Sequence, residues 1–200
     1  KMMARKFTTL TIALSMLALL AAPSALAIEG KVTLIHTGDF HGHLVARPNL
    51  RSDGTGHLEG GLARIATLIK LIRAKDKQAL LVHTGDTIQG GAEVLFTRGQ
   101  AIVDVLNMPE FGIDAFAPGN WEYVYGTQRF LELFGGSKPA APWGAIAANV
   151  FVPKEGAACA AGERPLPAYK IKMVGKIKVG ILGLTTDRGP LVVGSTVTRG

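Results

Sequence analysis

Apolar residues come in short bursts along this chain, separated by polar, glycine-containing stretches. KVTLIH (31–36) is rich in β-branched and apolar residues and predicts a strand. GGLARIATLIKLIRAK (60–75) has a different period. Leu62, Ile65, Ala66, Ile69 and Ile72 recur at three- and four-residue steps, while Arg64, Lys70 and Arg73 fall off that stripe. This is the pattern of an amphipathic helix. ALLVH (79–83) predicts a second, buried strand, GQAIVDVLN (99–107) a short helix and IDAFA (113–117) a third strand. GTQRFLELF (126–134) predicts another helix and GAIAANVF (144–151) a fourth strand. YKIKMV and KIKVGILGL then flank Gly175 with near-alternating apolar residues, which predicts a hairpin. DRGP (187–190) reads as a turn. Strand–helix units followed by a hairpin predict an α/β layered fold.

The first 27 residues stand apart from this pattern. Lys1, Arg5 and Lys6 precede the apolar run LTIALSMLALLAA, and Ala25-Leu26-Ala27 forms a small-x-small site. These features predict a secretory signal peptide over 1–27, and a protein secreted to the periplasm. The apolar run is short for a membrane span and Pro23 interrupts its end, so no anchor is expected. Residues 28–200 then form one domain, with enough apolar content for a real core. The leader holds three of the 22 basic residues and none of the 15 acidic ones, so the net charge falls from +7 to +4 without it. That modest excess suits a small anionic substrate. No basic run interleaved with aromatics points to nucleic acid. Cys159 is the single cysteine, so no internal disulfide is expected, and a free thiol without catalytic role fits its EGAACAAGE setting. The chain starts at Lys1 and stops at GSTVTRG without a closing element, which reads as a fragment.

One local echo carries chemistry. LIHTGDF (34–40) and LVHTGDT (81–87) each run an apolar strand into His-Thr-Gly-Asp. Both put an aspartate just past a strand's C-terminal end, where α/β folds place ligands. Asp39 and His41 are two apart, and in an extended segment such residues point the same way. Asp86 follows the second strand within GDTIQGG, whose glycines allow close backbone approach. Asn120, in PGNWE, follows the third and offers a neutral oxygen. Alone, each block also reads as a polar turn. Together, their mixed oxygen and nitrogen donors suit Mn, Zn, Fe or Co better than Ca. A carboxylate shared by two cations is how a two-metal site is held together. His36 and His83 precede their aspartates by three, a parity that favours packed or hydrogen-bonded roles. Arg47 and Arg51 lie in a polar loop beside the site, as anion contacts or simply solvated. Glu122 is expected to orient its loop, and Tyr123 and Tyr125 fit either pocket or core.

The ordered blocks GDFHGH, GDTIQGG and GNWE resemble the calcineurin-like metallophosphoesterases, and most of all their secreted bacterial 5′-nucleotidase branch. The likeness extends to VGILGLTTD near the end. It implies a four-layer α/β/β/α sandwich with two divalent metal ions at the strand ends. It implies that Asp39 and His41 bind the first ion, Asp86 bridges, and Asn120 binds the second, with His43 supporting the ligands or lining the pocket. It also implies direct attack by water on a small anionic substrate, a nucleotide, with no protein nucleophile and no further catalytic side chain assigned.

Two departures from the family pattern matter. Trp121 stands where most members have His, and Val124 where the 5′-nucleotidases have Asp. That His–Asp dyad steadies the reacting phosphate and helps the leaving group. A nucleoside leaves as an alkoxide and gains about 10²–10⁴-fold from acid help. A thiol, with a pKa of roughly 8.5, departs without it. LFTRGQAIVDVLN and WEYVYG also look like the thiosulfohydrolases of sulfur oxidation, which act on a thiosulfonated carrier protein. A metal- or ligand-binding module without catalysis is a third reading. The second departure is that all five histidines lie before residue 84, whereas the family adds a Gly-His-x-His block later. The chain therefore carries about half of the implied site and is expected to be incomplete and inactive alone.

Overall fold

A computed structural model describes residues 30–48, 56–152 and 163–194 of the chain. The chain divides into two compact units, residues 1–31 and 32–200, and nearly all described residues belong to the second. The expected leader over 1–27, Arg51 and Cys159 lie outside the described residues. In chain order the elements are β1 (Leu34–Thr37), β2 (Arg47–Pro48), β3 (Leu58–Glu59), α1 (Leu62–Lys75) and β4 (Leu80–His83). They continue with α2 (Ala92–Phe96), α3 (Gln100–Leu106), β5 (Ile113–Phe116), a 3-10 turn (Trp121–Tyr123) and α4 (Thr127–Phe134). The hairpin strands β6 (Tyr169–Val174) and β7 (Ile177–Leu182) and the short α5 (Gly189–Val192) complete them. No helix among the described residues is long and apolar enough to cross a membrane.

The α/β class is as expected. β1, β4 and β5 form a parallel sheet in the order β1-β4-β5, with helices in both crossovers. α1 buries Leu62 and Ile69 against the sheet, with Ile65, Ala66 and Ile72 packed beside them, as its three- and four-residue spacing predicts. Arg73 and Lys75 in the last turn complement the helix dipole. Arg73 lies off the apolar stripe, as its spacing predicts, and has a structural task there. Its guanidinium donates to the carbonyls of Phe111 at 2.6 Å and Gly112 at 2.9 Å, tying α1 to the entry of β5.

β4 and β5 slip register between Leu81 and Val82, skipping Asp114. The Asp114 carboxylate accepts the Leu81 N–H at 2.9 Å and pairs with Lys172 of β6 at 3.0 Å. One bulged residue thus joins the parallel sheet to the hairpin. β6 and β7 pair antiparallel around Gly175, whose φ of 58° supplies the left-handed conformation a tight hairpin turn needs.

The expected fourth strand at 144–151 is not there. Only Ala145 pairs with β5, as a single parallel bridge to Phe116. The next amides go to different segments: Ile146 to the Phe116 carbonyl, Ala147 to Pro167, Ala148 to Gly183. Each hydrogen bond is satisfied, but no ladder results. This apolar run crosses from the parallel sheet to the hairpin rather than extending either. The polar loop expected between the GDFHGH block and α1 contains the two-residue ladder β2–β3. DRGP enters α5 rather than ending in a turn, with its proline in the first helical turn.

Candidate metal centre

The three loops that leave β1, β4 and β5 are bonded to one another. The parallel pairing of β1 with β4 continues past both strands. Thr84 N–H donates to Thr37, Asp39 to Gly85, His41 to Asp86 and Gly42 to Thr87, at 2.8–2.9 Å. Glycine permits the closeness. A Cβ on Gly90, whose φ is 126°, would lie 2.0 Å from the His41 carbonyl oxygen.

The third loop is clamped by Glu122. Its side chain is fully buried, and its carboxylate accepts the amides of Asp86 (2.8 Å), Thr87 (2.7 Å) and Gly119 (2.7 Å). Burial pushes this carboxyl above the ordinary carboxylate range, and the three N–H donors pull against that rise. Glu122 therefore orients its loop, as expected, and holds the second loop as well. Asp86 in turn accepts the backbone N–H of Trp121 at 3.0 Å. A Cβ on Gly119 would meet that carboxylate at 2.2 Å, so glycine is required beside it.

The result is a convergent group. One donor atom each from Asp39, His41 and Asp86 lies within 4.8 Å of the others. The convergence has a different cause from the extended-strand alternation expected for Asp39 and His41. Both sit in left-handed backbone, at φ 55° and 43°, and Asp86 does too, at 53°. Among the described residues only one other non-glycine residue, Arg98, has positive φ. Such backbone is costly and is retained where the surrounding structure enforces it. Here the interloop ladder does so.

The donor set fits a divalent cation. His41 Nε2 and Asp39 Oδ1 are 3.7 Å apart, too far for a hydrogen bond. Two ligands each about 2.1 Å from one transition-metal ion can span that separation. The Asp39 side chain is 79% exposed and that of His41 32%, so the group opens to one side. Asn120 lies between Gly119 and Trp121 on the clamped loop, and its Nδ2 is buried without a partner among the described residues. A carboxamide turned about its last bond exchanges nitrogen for oxygen, and an oxygen there is a cation donor.

The other expected residues fall around this group. His43 is exposed, and its Nδ1–H donates to the His41 carbonyl at 2.8 Å. It lines a cavity of about 490 Å³ with Asp39, His41, Arg47 and Glu59. His83 is a packed histidine. It stacks between Phe40 and Phe116, its Nδ1–H donates to the Thr37 carbonyl, and its Nε2 accepts from the Thr87 hydroxyl. Burial lowers its pKa from 6.5 to about 4. His36 is exposed and bonded to the Thr84 hydroxyl. Tyr123 packs on Phe130 at 4.6 Å, and burial lifts its phenol to about 12, which makes it a poor proton donor.

With this geometry in place, the family is plain. The chain belongs to the calcineurin-like phosphoesterases, whose family model matches residues 32–180. Within that family it is similar to 5′-nucleotidases. It is 35% identical over 173 residues to the snake venom 5′-nucleotidase of Crotalus adamanteus, covering 86% of this chain and 28% of that protein. The solved 5′-nucleotidase precursor of Thermus thermophilus is 30% identical, with a TM-score of 0.61, covering 79% of this chain and 29% of its own. The NAD nucleotidase of Haemophilus influenzae is 26% identical with a TM-score of 0.62, covering 78% and 30% respectively. The chain thus spans under a third of the length of these proteins.

Two interactions have no counterpart in the sequence reading. Trp121 matters there only through its indole, yet it is its backbone amide that reaches Asp86. Gln89 belongs to none of the expected ligands, although its Oε1 lies 2.9 Å from His41 Nδ1. Its position three residues after Asp86, in GDTIQGG, is the one signal the sequence holds.

Proposed function

We propose that this chain is part of an exported, metal-dependent hydrolase that cleaves phosphate esters of nucleotides with water at a two-metal site. The observation that carries the reading is the convergence of Asp39, His41 and Asp86, all three in left-handed backbone, at the C-terminal ends of parallel strands. Asp39 and His41 would hold one ion, Asp86 would be shared, and Asn120 would reach the second. Ions of the Mn, Zn, Fe or Co kind bound there would supply Lewis acidity and an acidified water. The protein's own part is positional. Glu122 and the Trp121 amide fix Asp86, and the interloop ladder fixes Asp39 and His41. His43 and Arg47 line the adjoining cavity, where an anionic substrate would find cationic or hydrogen-bonding groups. The 5′-nucleotidase names of the relatives support the choice of substrate. The leader over 1–27 supports export to the periplasm.

The test uses the full-length protein loaded with Mn or Co. Release of phosphate from nucleoside monophosphates, abolished by Asp86→Asn, is the expected result. Metal uptake without turnover on any nucleoside or aryl phosphate would leave the non-catalytic module. A second reading keeps a specific observation: neither Trp121 nor Val124 carries a proton donor, which suits a sulfur leaving group on a carrier protein. Sulfate release from a thiosulfonated cysteine peptide, with no phosphate release from nucleotides, would favour it.

A further inference from the structure

Gln89 sits on the side of His41 away from the convergent group. Its side-chain oxygen lies 2.9 Å from His41 Nδ1, and the pair is partly buried. A carboxamide oxygen only accepts, so with the oxygen end of Gln89 on Nδ1, as it stands here, the matching tautomer has the imidazole proton on Nδ1. Nε2 then carries the lone pair. Nε2 is also the atom that faces Asp39, at a distance that excludes a hydrogen bond between them. The lone pair is therefore directed into the donor group, with the proton held outside it.

The backbone keeps Gln89 in place. The His41 amide donates to Asp86 and the Gly42 amide to Thr87, on the strand-end side of Gln89. On the far side, Gly90 and Gly91 pack against the backbone of His41 and Gly42 so closely that a Cβ at either would lie within 2.2 Å of a carbonyl oxygen. One loop thus delivers both the Asp86 carboxylate and, three residues later, the amide that aims His41. The φ of 43° fixes the His41 backbone but not its side-chain torsions, and the Gln89 bond is a contact that holds the ring in one orientation.

We infer that Gln89 is a positioning residue: it fixes the tautomer and ring orientation of His41 so that Nε2 is presented to a divalent cation shared with Asp39 and Asp86. The inference rests on the metal reading above. Outer partners of metal-bound histidines of this kind typically account for about 10–100-fold in affinity.

The test has two readouts on the full-length protein. The first is Mn affinity, measured by chelator competition for wild type, Gln89→Ala and Gln89→Glu. Gln89→Ala should bind about 10–100-fold more weakly. Gln89→Glu, which keeps an acceptor oxygen, should stay within a few-fold of wild type. The second readout is the imidazole ¹⁵N spectrum of His41 in metal-free protein. Wild type and Gln89→Glu should show the Nδ1–H tautomer, and Gln89→Ala a mixture. Equal affinity in wild type and Gln89→Ala, or an Nε2–H tautomer in wild type, overturns the inference while leaving the metal site standing. Failure of wild type to take up metal overturns the metal reading, and this inference with it.

Discussion

At the scale of single residues, Trp121 shows that one position can serve through its backbone and its side chain separately. The backbone amide is used regardless of side chain, because it donates to Asp86. The side chain decides whether a proton donor is present. Installing a His–Asp pair, Trp121→His with Val124→Asp, should therefore leave metal content unchanged. It should raise kcat on nucleoside monophosphates by about 10–100-fold, at or below the range for acid assistance, and hardly affect an aryl phosphate with a good leaving group. Steady-state rates on the two substrates check this. His83 shows a different residue-scale effect. Well above pH 6.5 its imidazole is neutral whether the chain is folded or not. As pH falls from 6.5 toward about 4, the unfolded chain takes a proton that the buried ring refuses, so stability drops across that window. Urea midpoints measured above and within that window should differ in that direction, and His83→Gln should flatten the difference.

At the scale of elements, the site belongs to loops rather than to strands. The strands set the spacing, and hydrogen bonds between loops set the geometry. Glu122 is the clearest case, since three amides from two loops converge on one buried carboxylate. Glu122→Gln keeps the shape but offers one acceptor oxygen and turns an NH₂ toward N–H donors. It should cost roughly 2 kcal/mol or more, seen as a lower denaturant midpoint, and weaken metal binding as well. How far the elements could be read from sequence depended on where their partners lie. α1 and the hairpin were legible, because helical period and two-fold alternation are local properties. The segment 144–151 was not. Its apolar run looks like a strand, but its amides bond in turn to Phe116, Pro167 and Gly183, and nothing local announces that.

At the scale of the whole molecule, the candidate donor group exists only in the folded chain, so metal bound there would be coupled to folding. Holding Asp39, His41 and Asp86 in left-handed backbone costs stability, and only the folded chain brings their donors together. Metal at about 100 times its Kd should add about 2.7 kcal/mol, raising Tm by several degrees, and a chelator should remove the gain. A calorimetric scan with and without Mn checks it, and Asp86→Asn should abolish the shift.

The sequence by itself determined the α/β class, the three parallel strands with their main helices, the buried face of α1, and the three blocks at Asp39-x-His41, Asp86 and Asn120 in their strand-end positions. Those are properties of residue type and short spacing. Only the tertiary structure decided why the donors converge, which partner aims His41, and how Trp121 still serves its position. The partners concerned are 35 residues apart for Trp121 and Asp86, and 48 for His41 and Gln89. A hydrogen bond between a loop and a distant loop needs only one suitable atom at each end, so it leaves no periodic trace in the chain.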